Sequence, residues 1–505
     1  MTERGKRNLQ RWIYFSGGLS VVLCLSVYAT RFLIEQPLCC ADNVYIAISA
    51  KNYANENGYR SSFPGNAYHQ ADPSSRAFAK LPFDPGVTTG GPSQWLSVPL
   101  QRAFPGNLYA FDAAGIITRA IALLILLALW PMKNLRGLAL YGFLAWSLIS
   151  VAHLTHATIF TNIGEMTAAL FLTTGVAAFC KGAQEHRRIL LLLSVLLFWL
   201  AYLTKMNSVV FLGIFLGGAG TWLAVNGERR RLLELAAFGI FLLVSSEFFL
   251  LIHLGIDGYL VQKQTTLFLI SIVENYSKAG GRIAFPQIQS LYQPLLLGFA
   301  FATLLWALAR LQPRRDGLLL AWSIISALLY FALNTGLGNR NPRYLVLPIS
   351  TLLMLGIYAL TSWHHLRFET ISFQRAFGNY VLSLIVVFAL LLSGESPLWM
   401  VKNAMRQPIP SSNRGDHARA YATYLDSIKD TPVAVYSWQN AVDAEWLSTR
   451  TPGWIQDYQQ IDREQPFYIL FDKRWNNSKP LSAFVAEECA ESFSRGPYSV
   501  WRCQN

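Results

Sequence analysis

The chain has 505 residues, of which 53% are hydrophobic and 14% charged, with a formal net charge of +13. Soluble domains carry about 25% charged residues, and here the apolar residues gather into runs of roughly 17 to 22, the length that crosses a bilayer. A soluble enzyme is therefore excluded. The basic excess falls mostly in short segments between those runs, where it orients a membrane protein, so no nucleic-acid partner is expected.

In chain order, the first apolar run covers about 13–30 and follows Arg4, Lys6, Arg7 and Arg11. No small-residue cleavage site follows it, so a retained first span with a cytoplasmic N-terminus is expected. Further spans are expected near 110–130, 138–156, 163–180, 189–204, 207–225, 233–253, 291–310, 317–335, 344–362 and 378–394. This gives a multi-span α-helical membrane protein of about eleven crossings. Threaded alternately, they place Lys133 and Arg136, then Lys181, Arg187 and Arg188, then Arg229 to Arg231, on one side, together with Arg310, Arg314, Arg315, Arg367 and Arg375. The positive-inside rule assigns that side to the cytoplasm. This register needs Thr204-Lys205-Met206-Asn207-Ser208 to divide 189–225 into two helices meeting near the outer surface; one long helix would invert every later span.

Two regions are expected: a membrane region, 1–394, that includes a periplasmic loop at 31–108, and a periplasmic region, 395–505. A shorter outer loop spans about 254–290. The tail has apolar alternation at Pro432 to Tyr436 and Phe467 to Phe471 and a helical pattern around Ala418 to Ile428, which predicts a small α/β domain. Cys489 and Cys503 lie in this tail, where an oxidising compartment lets them pair as a disulfide. Cys24 and Cys180 fall within spans and are expected to be packing residues.

Several polar groups lie on the expected outer face. Asp42 opens Asp42-Asn43-Val44-Tyr45-Ile46-Ala47, just after the first span and before an amphipathic stretch, Val44 to Tyr53. It suits either a helix cap or a carboxylate that meets a lipid-linked substrate at the bilayer surface. The segment Asp84-Pro85-Gly86-Val87-Thr88-Thr89-Gly90-Gly91-Pro92 is a glycine- and proline-punctuated turn leading into a short helix; it reads as a plain loop or as the lining of a polar pocket. Lys205 stands at the outer end of a span, and Arg340 and Arg343 flank the opening of a late one. Each suits headgroup anchoring or recognition of a phosphate. His153, His156 and Glu165 around one outer turn form a weak metal-site candidate without a third strong ligand. Arg119 and Glu247 fall inside spans, where ionisable groups are paired or functional.

Taken in order, these pieces resemble the GT-C superfamily of polyprenyl-phosphate-sugar-dependent glycosyltransferases, which includes protein O-mannosyltransferases, the aminoarabinose transferase of lipid A and arabinofuranosyltransferases. The resemblance rests on Asp42-Asn43-x-Tyr45-x-Ala47 with Gly58 beyond, on Thr88-Thr89-Gly90-Gly91-Pro92, on Leu203-Thr204-Lys205 and on Arg343-Tyr344-Leu345-x-x-Pro348. The tail pieces Val435 to Gln439 and Leu447 to Arg450 are similar too. Many relatives place two acidic residues after the first span; here the second position is Asn43, which weakens the case for a bound divalent metal and leaves Asp84 as the other carboxylate of the loop. No cofactor is indicated.

The resemblance implies an inverting transfer of a sugar from a polyprenyl-phosphate carrier at the periplasmic face of a bacterial inner membrane. The acceptor would be a glycan, a glycolipid such as lipopolysaccharide, or a protein. Asp42 would serve as general base; Lys205, Arg340 and Arg343 would stabilise charge on the leaving phosphate, with Tyr45, Asp84, Thr88, Thr89 and Tyr344 lining the substrate. Two other classes compete. A transporter or flippase of lipid-linked sugars predicts paired repeats and broken helices at the midplane, and no repeat is visible. An O-antigen-type polymerase or ligase does not call for a carboxylate after the first span.

Overall fold

A computed structural model describes residues 41–56, 91–104, 110–129, 164–205, 207–225, 232–249, 315–338, 345–364, 413–428, 433–435, 466–472, 479–496 and 498–503, with isolated positions between them. Their helices are α1 (Ala41–Ala54), α2 (Pro92–Ala103), α3 (Ala110–Leu129), α4 (Glu165–Glu185), α5 (Arg188–Thr204), α6 (Ser208–Val225), α7 (Leu232–Phe249), α8 (Arg315–Gly338), α9 (Val346–His364), α10 (Asn413–Ser427) and α11 (Lys479–Glu488). The strands are β1 (Val433–Val435), β2 (Gly453–Trp454), β3 (Phe467–Asp472), β4 (Cys489–Arg495) and β5 (Tyr498–Cys503).

Helices α3 to α9 coincide with seven of the expected spans. Long runs of Leu, Ile, Ala and Phe form helices because hydrocarbon leaves the backbone no other partner than itself. Helices α3, α6 and α7 and the stretch Glu165–Ala183 of α4 are long and apolar enough to cross a membrane; α5, α8 and α9 contain shorter apolar stretches. The expected spans at 138–156, 291–310 and 378–394 lie outside the described residues, and the first, 13–30, is described only at isolated positions. Helix α4 continues to Glu185, past the expected end at 180, and closes on His186 in the left-handed region, φ 55°.

Helix α4 is the centre of the bundle and packs against α3, α5, α8 and α9. Its Ala168, Ala169, Ala177 and Ala178 are fully buried, and such small residues let helix backbones approach closely in a membrane. Helix α7 lies at the other extreme, with Ile240, Phe241, Leu243, Val244 and Phe248 exposed. Large apolar side chains in that position face lipid. Arg119 and Glu247, expected within spans, have different partners: Arg119 Nε donates to the Gly115 carbonyl at 3.0 Å and is near Asp112 in the first turn of α3, whereas Glu247 accepts from the Tyr259 hydroxyl at 2.7 Å.

The C-terminal strands form one sheet in the order β2-β1-β3-β5-β4, with β1 parallel to β2 and β3, and β5 antiparallel to β3 and β4. Alternation sends successive side chains to opposite faces. Tyr468, Leu470, Tyr498 and Val500 pack with Tyr421 and Leu425 of α10; Phe467, Ile469 and Cys503 pack with Phe484 and Val485 of α11. The tail is thus a sheet with one helix on each face. Cys489 and Cys503 are direct cross-strand partners and form a disulfide.

Candidate functional site

The break between α5 and α6 is where separate parts of the chain converge. Helix α5 stops because Lys205 turns to an extended conformation, φ −150° and ψ 111°. Helix α6 restarts three residues later, where the amide and hydroxyl of Ser208 both bond the Lys205 carbonyl, at 3.0 and 2.6 Å. The Tyr330 hydroxyl of α8 donates to the Asn207 carbonyl at 3.1 Å and fastens the turn from a second helix. Two helices therefore stand where the sequence placed two.

Two glycines in the left-handed region press against this break. Gly91, φ 65°, precedes α2, and a Cβ there would lie 3.1 Å from Leu203 and Thr204 backbone atoms. Gly164, φ 97°, precedes α4, and a Cβ there would lie 2.9 Å from the Thr204 carbonyl oxygen. Only a residue without a side chain allows both the conformation and the approach. The end of the Thr88-Thr89-Gly90-Gly91-Pro92 turn and the Leu203-Thr204-Lys205 break, more than 100 residues apart, are thus in contact.

Lys205 was expected at an outer helix end, with its charge free for a headgroup or a phosphate. Instead it is buried. Its Nζ lies 2.9 Å from Glu165 Oε1, and the two side chains are 8% and 3% exposed. Neither carboxylate oxygen of Glu165 accepts a hydrogen bond of good geometry among the described residues, so the contact is an ion pair. The reason Lys205 does not snorkel is that the turn at 205–208 is packed between α4, α2 and α8, and a buried ammonium needs an opposite charge more than it needs water. Glu165, weighed as a metal ligand, is committed to Lys205; its fellow candidates His153 and His156 lie outside the described residues. Among the described residues no three His, Cys, Asp or Glu side chains come together as a metal site.

Asp42 and Tyr45 lie on α1, which begins at Ala41. Helix α1 packs on α2, and Arg102 Nε at the end of α2 donates to the Ala54 carbonyl at the end of α1, 3.4 Å away. The far end of α1 meets the tail: Lys51 Nζ donates to the Ser448 carbonyl at 2.8 Å, within the Leu447 to Arg450 stretch. Leu345, next to Arg343 and Tyr344 in sequence, is buried at the start of α9, and α9 packs on α4. Asp84, Thr88, Thr89, Arg340, Arg343 and Tyr344 themselves lie outside the described residues.

From the lipid side an apolar groove approaches the same break. It lies between α5 and α7, is lined by Leu192, Val195, Leu196, Trp199, Phe241 and Phe248 among others, and encloses about 420 Å³. Trp199 stands at its inner end, with ring contacts to Phe249 at 5.2 Å and to Trp95 of α2 at 6.2 Å. Six residues of helix separate Trp199 from Lys205, about 9 Å of rise. Sequence reasoning singled out Lys205 and Glu165 but not their pairing, and it missed Gly164, Tyr330, Lys51 and Trp199. The one local signal was that Glu165 and Lys205 are opposite charges at the ends of neighbouring spans, where charge is scarce.

No family model matches the sequence and no curated protein is found similar to it. Two crystal structures of ArnT from Cupriavidus metallidurans share its fold. One, bound to undecaprenyl phosphate, superposes with a TM-score of 0.57 at 14% identity; the other, in the apo state, gives 0.54 at 13%. Each match covers 96% of this chain and 98% of the ArnT chain. The fold is thus that of these ArnT structures over nearly the whole chain, in keeping with the multi-span helical membrane architecture expected from the apolar runs of the sequence.

Proposed function

We propose that this protein is an inverting glycosyltransferase that moves a sugar from a polyprenyl-phosphate carrier to an envelope acceptor at the periplasmic face of the inner membrane. The observation that carries the reading is the likeness over nearly the whole chain to an ArnT that binds undecaprenyl phosphate. Three further features support it. The apolar groove suits an isoprenoid tail, a lipid-linked substrate's natural anchor in a membrane site. The groove leads toward the break that carries Lys205, a cation suited to the phosphate. The helix carrying Asp42 packs on α2, whose opposite end touches that break, which favours a carboxylate acting on the same substrate.

In this mechanism the acceptor hydroxyl attacks the anomeric carbon as its proton passes to the Asp42 carboxylate. The anomeric carbon–oxygen bond breaks and the electron pair leaves with the polyprenyl phosphate. Lys205, with Arg340 and Arg343, stabilises the charge that grows on the phosphate oxygens. Tyr45, Asp84, Thr88, Thr89 and Tyr344 line the substrate.

The test is transfer of labelled sugar from a polyprenyl-phosphate donor in proteoliposomes. General-base catalysis contributes about 100-fold or more, so Asp42→Asn should lower kcat by at least that factor with little change in donor binding. An unchanged rate would remove Asp42 from the role, and movement of labelled donor across the bilayer without transfer would replace the enzyme by a transporter.

A further inference from the structure

The donor and the product of the proposed reaction differ in charge. A polyprenyl-phosphate sugar is a phosphodiester with one negative charge. The polyprenyl phosphate left behind is a monoester, carrying about −1.5 to −2 near pH 7 as phosphomonoesters do. A site built only of cations binds the product more tightly than the donor and is slow to release it.

We propose that Glu165 is the counter-charge that prevents this: it offsets Lys205 so that the site holds the monoanionic donor and lets the more highly charged product go. This rests on the reading of Lys205 as a phosphate-binding group. The geometry supplies the reasons. Both groups are buried side by side at the break, 2.9 Å apart, so a phosphate that reaches the ammonium is within range of the carboxylate as well. The ammonium has three donors and a single close acidic partner among the described residues, which leaves donors for phosphate oxygens. The carboxylate oxygens accept no hydrogen bond of good geometry among the described residues, so the Lys205 ammonium at 2.9 Å is their close polar neighbour, and the two groups act on a phosphate together, one attracting and one repelling. Gly164 and the first turn of α4 fix it against Thr204, so its distance from the phosphate is set by backbone packing.

The test compares the affinity of the full-length protein in nanodiscs for undecaprenyl phosphate, read as a product-inhibition constant, with its donor KM. Glu165→Gln keeps the shape and removes the charge. It should tighten product inhibition about 10-fold or more, lower donor KM by a smaller factor, and reduce kcat as release becomes slower. Glu165→Asp should retain the wild-type ratio. Equal effects of Glu165→Gln on product and donor would overturn the inference. Should Glu165→Gln fail to fold, the neutral double variant Glu165→Gln/Lys205→Gln gives a second reading: it must bind product about 10-fold more weakly than wild type, and binding as tight as wild type would show that Lys205 does not meet the phosphate. A wild-type protein that neither transfers sugar nor binds undecaprenyl phosphate would fail the proposed function itself, a result distinct from either.

Discussion

Replacing Gly164 by alanine isolates the contact that brings α4 onto the α5–α6 break. At φ 97° and ψ −19° an alanine is in a region that costs an L residue about 1–3 kcal/mol. Its Cβ would also lie 2.9 Å from the Thr204 carbonyl oxygen and 3.3 Å from Thr204 Cγ2. The first of these is backbone of a helix end and cannot swing aside, so overpacking adds about 1–3 kcal/mol. The sum, about 2–6 kcal/mol, is a large fraction of the stability of a folded protein. Gly213 is the internal control: it lies within α6, and beyond its own helix turn no atom of the described residues lies within 4 Å of its would-be Cβ, so Gly213→Ala should be neutral or slightly stabilising. Thermal unfolding of the two variants in detergent, followed by tryptophan fluorescence, should show a lowered Tm for Gly164→Ala and an unchanged or raised one for Gly213→Ala. Because Glu165 is the next residue, sugar transfer by Gly164→Ala should fall even at temperatures where it remains folded. Equal Tm values for the two variants would refute the claim that this glycine is required by conformation and contact.

The Lys205–Glu165 pair predicts asymmetry between breaking and deleting it: Lys205→Met strands a buried carboxylate and should cost about 3–5 kcal/mol, whereas Lys205→Met/Glu165→Met should recover most of that loss, measurable by the same unfolding assay. Serine at Cys489 and Cys503 opens a loop of sequence separation 14, worth about 3 kcal/mol in the chain-entropy account, so limited proteolysis should cut the tail sooner in that variant. Lys51→Met removes the hydrogen bond to the Ser448 carbonyl and should cost about 1–2 kcal/mol of docking between α1 and the tail, seen as faster amide exchange around α1 with the bundle unaffected.

What the sequence disclosed and what it withheld divide along a physical line. Hydropathy is a local property, so the bounds of α3, α5, α6 and α9 were legible to within a few residues. The stop after Thr204 was legible too, because Lys205, Asn207 and Ser208 interrupt an apolar run. In the tail, the apolar stretch Phe467 to Phe471 marks β3 by composition alone. Strand β4 carries no such mark: Cys489–Arg495 contains Glu491, Ser492, Ser494 and Arg495, the polar composition of an edge strand that is protected against pairing. Sheet order was not legible either, since strand pairing is set by packing of α10 and α11 on opposite faces rather than by the strands alone.

The site withheld most, for a reason that is itself informative. Asp42, Lys205 and Glu165 are each rare ionisable groups near membrane boundaries, and capping, snorkelling and metal binding are each explanations that a single residue and its sequence neighbours can satisfy. Lys205 and Glu165 are 40 positions apart, and what joins them is the contact of Gly164 with Thr204. A glycine carries no charge or hydropathy signal, so the residue that brings the charges together is the one that a pattern search passes over. Once the pair is formed, the electrostatics of the break change sign of argument. A lone lysine there is an anion trap, but a lysine with a buried carboxylate beside it is a site of nearly neutral sum that holds one negative charge better than two. A transferase that makes a more highly charged product from a less charged donor needs that second behaviour, and a variant that alters donor and product affinity alike would show that the pair serves only to hold α4 against α5.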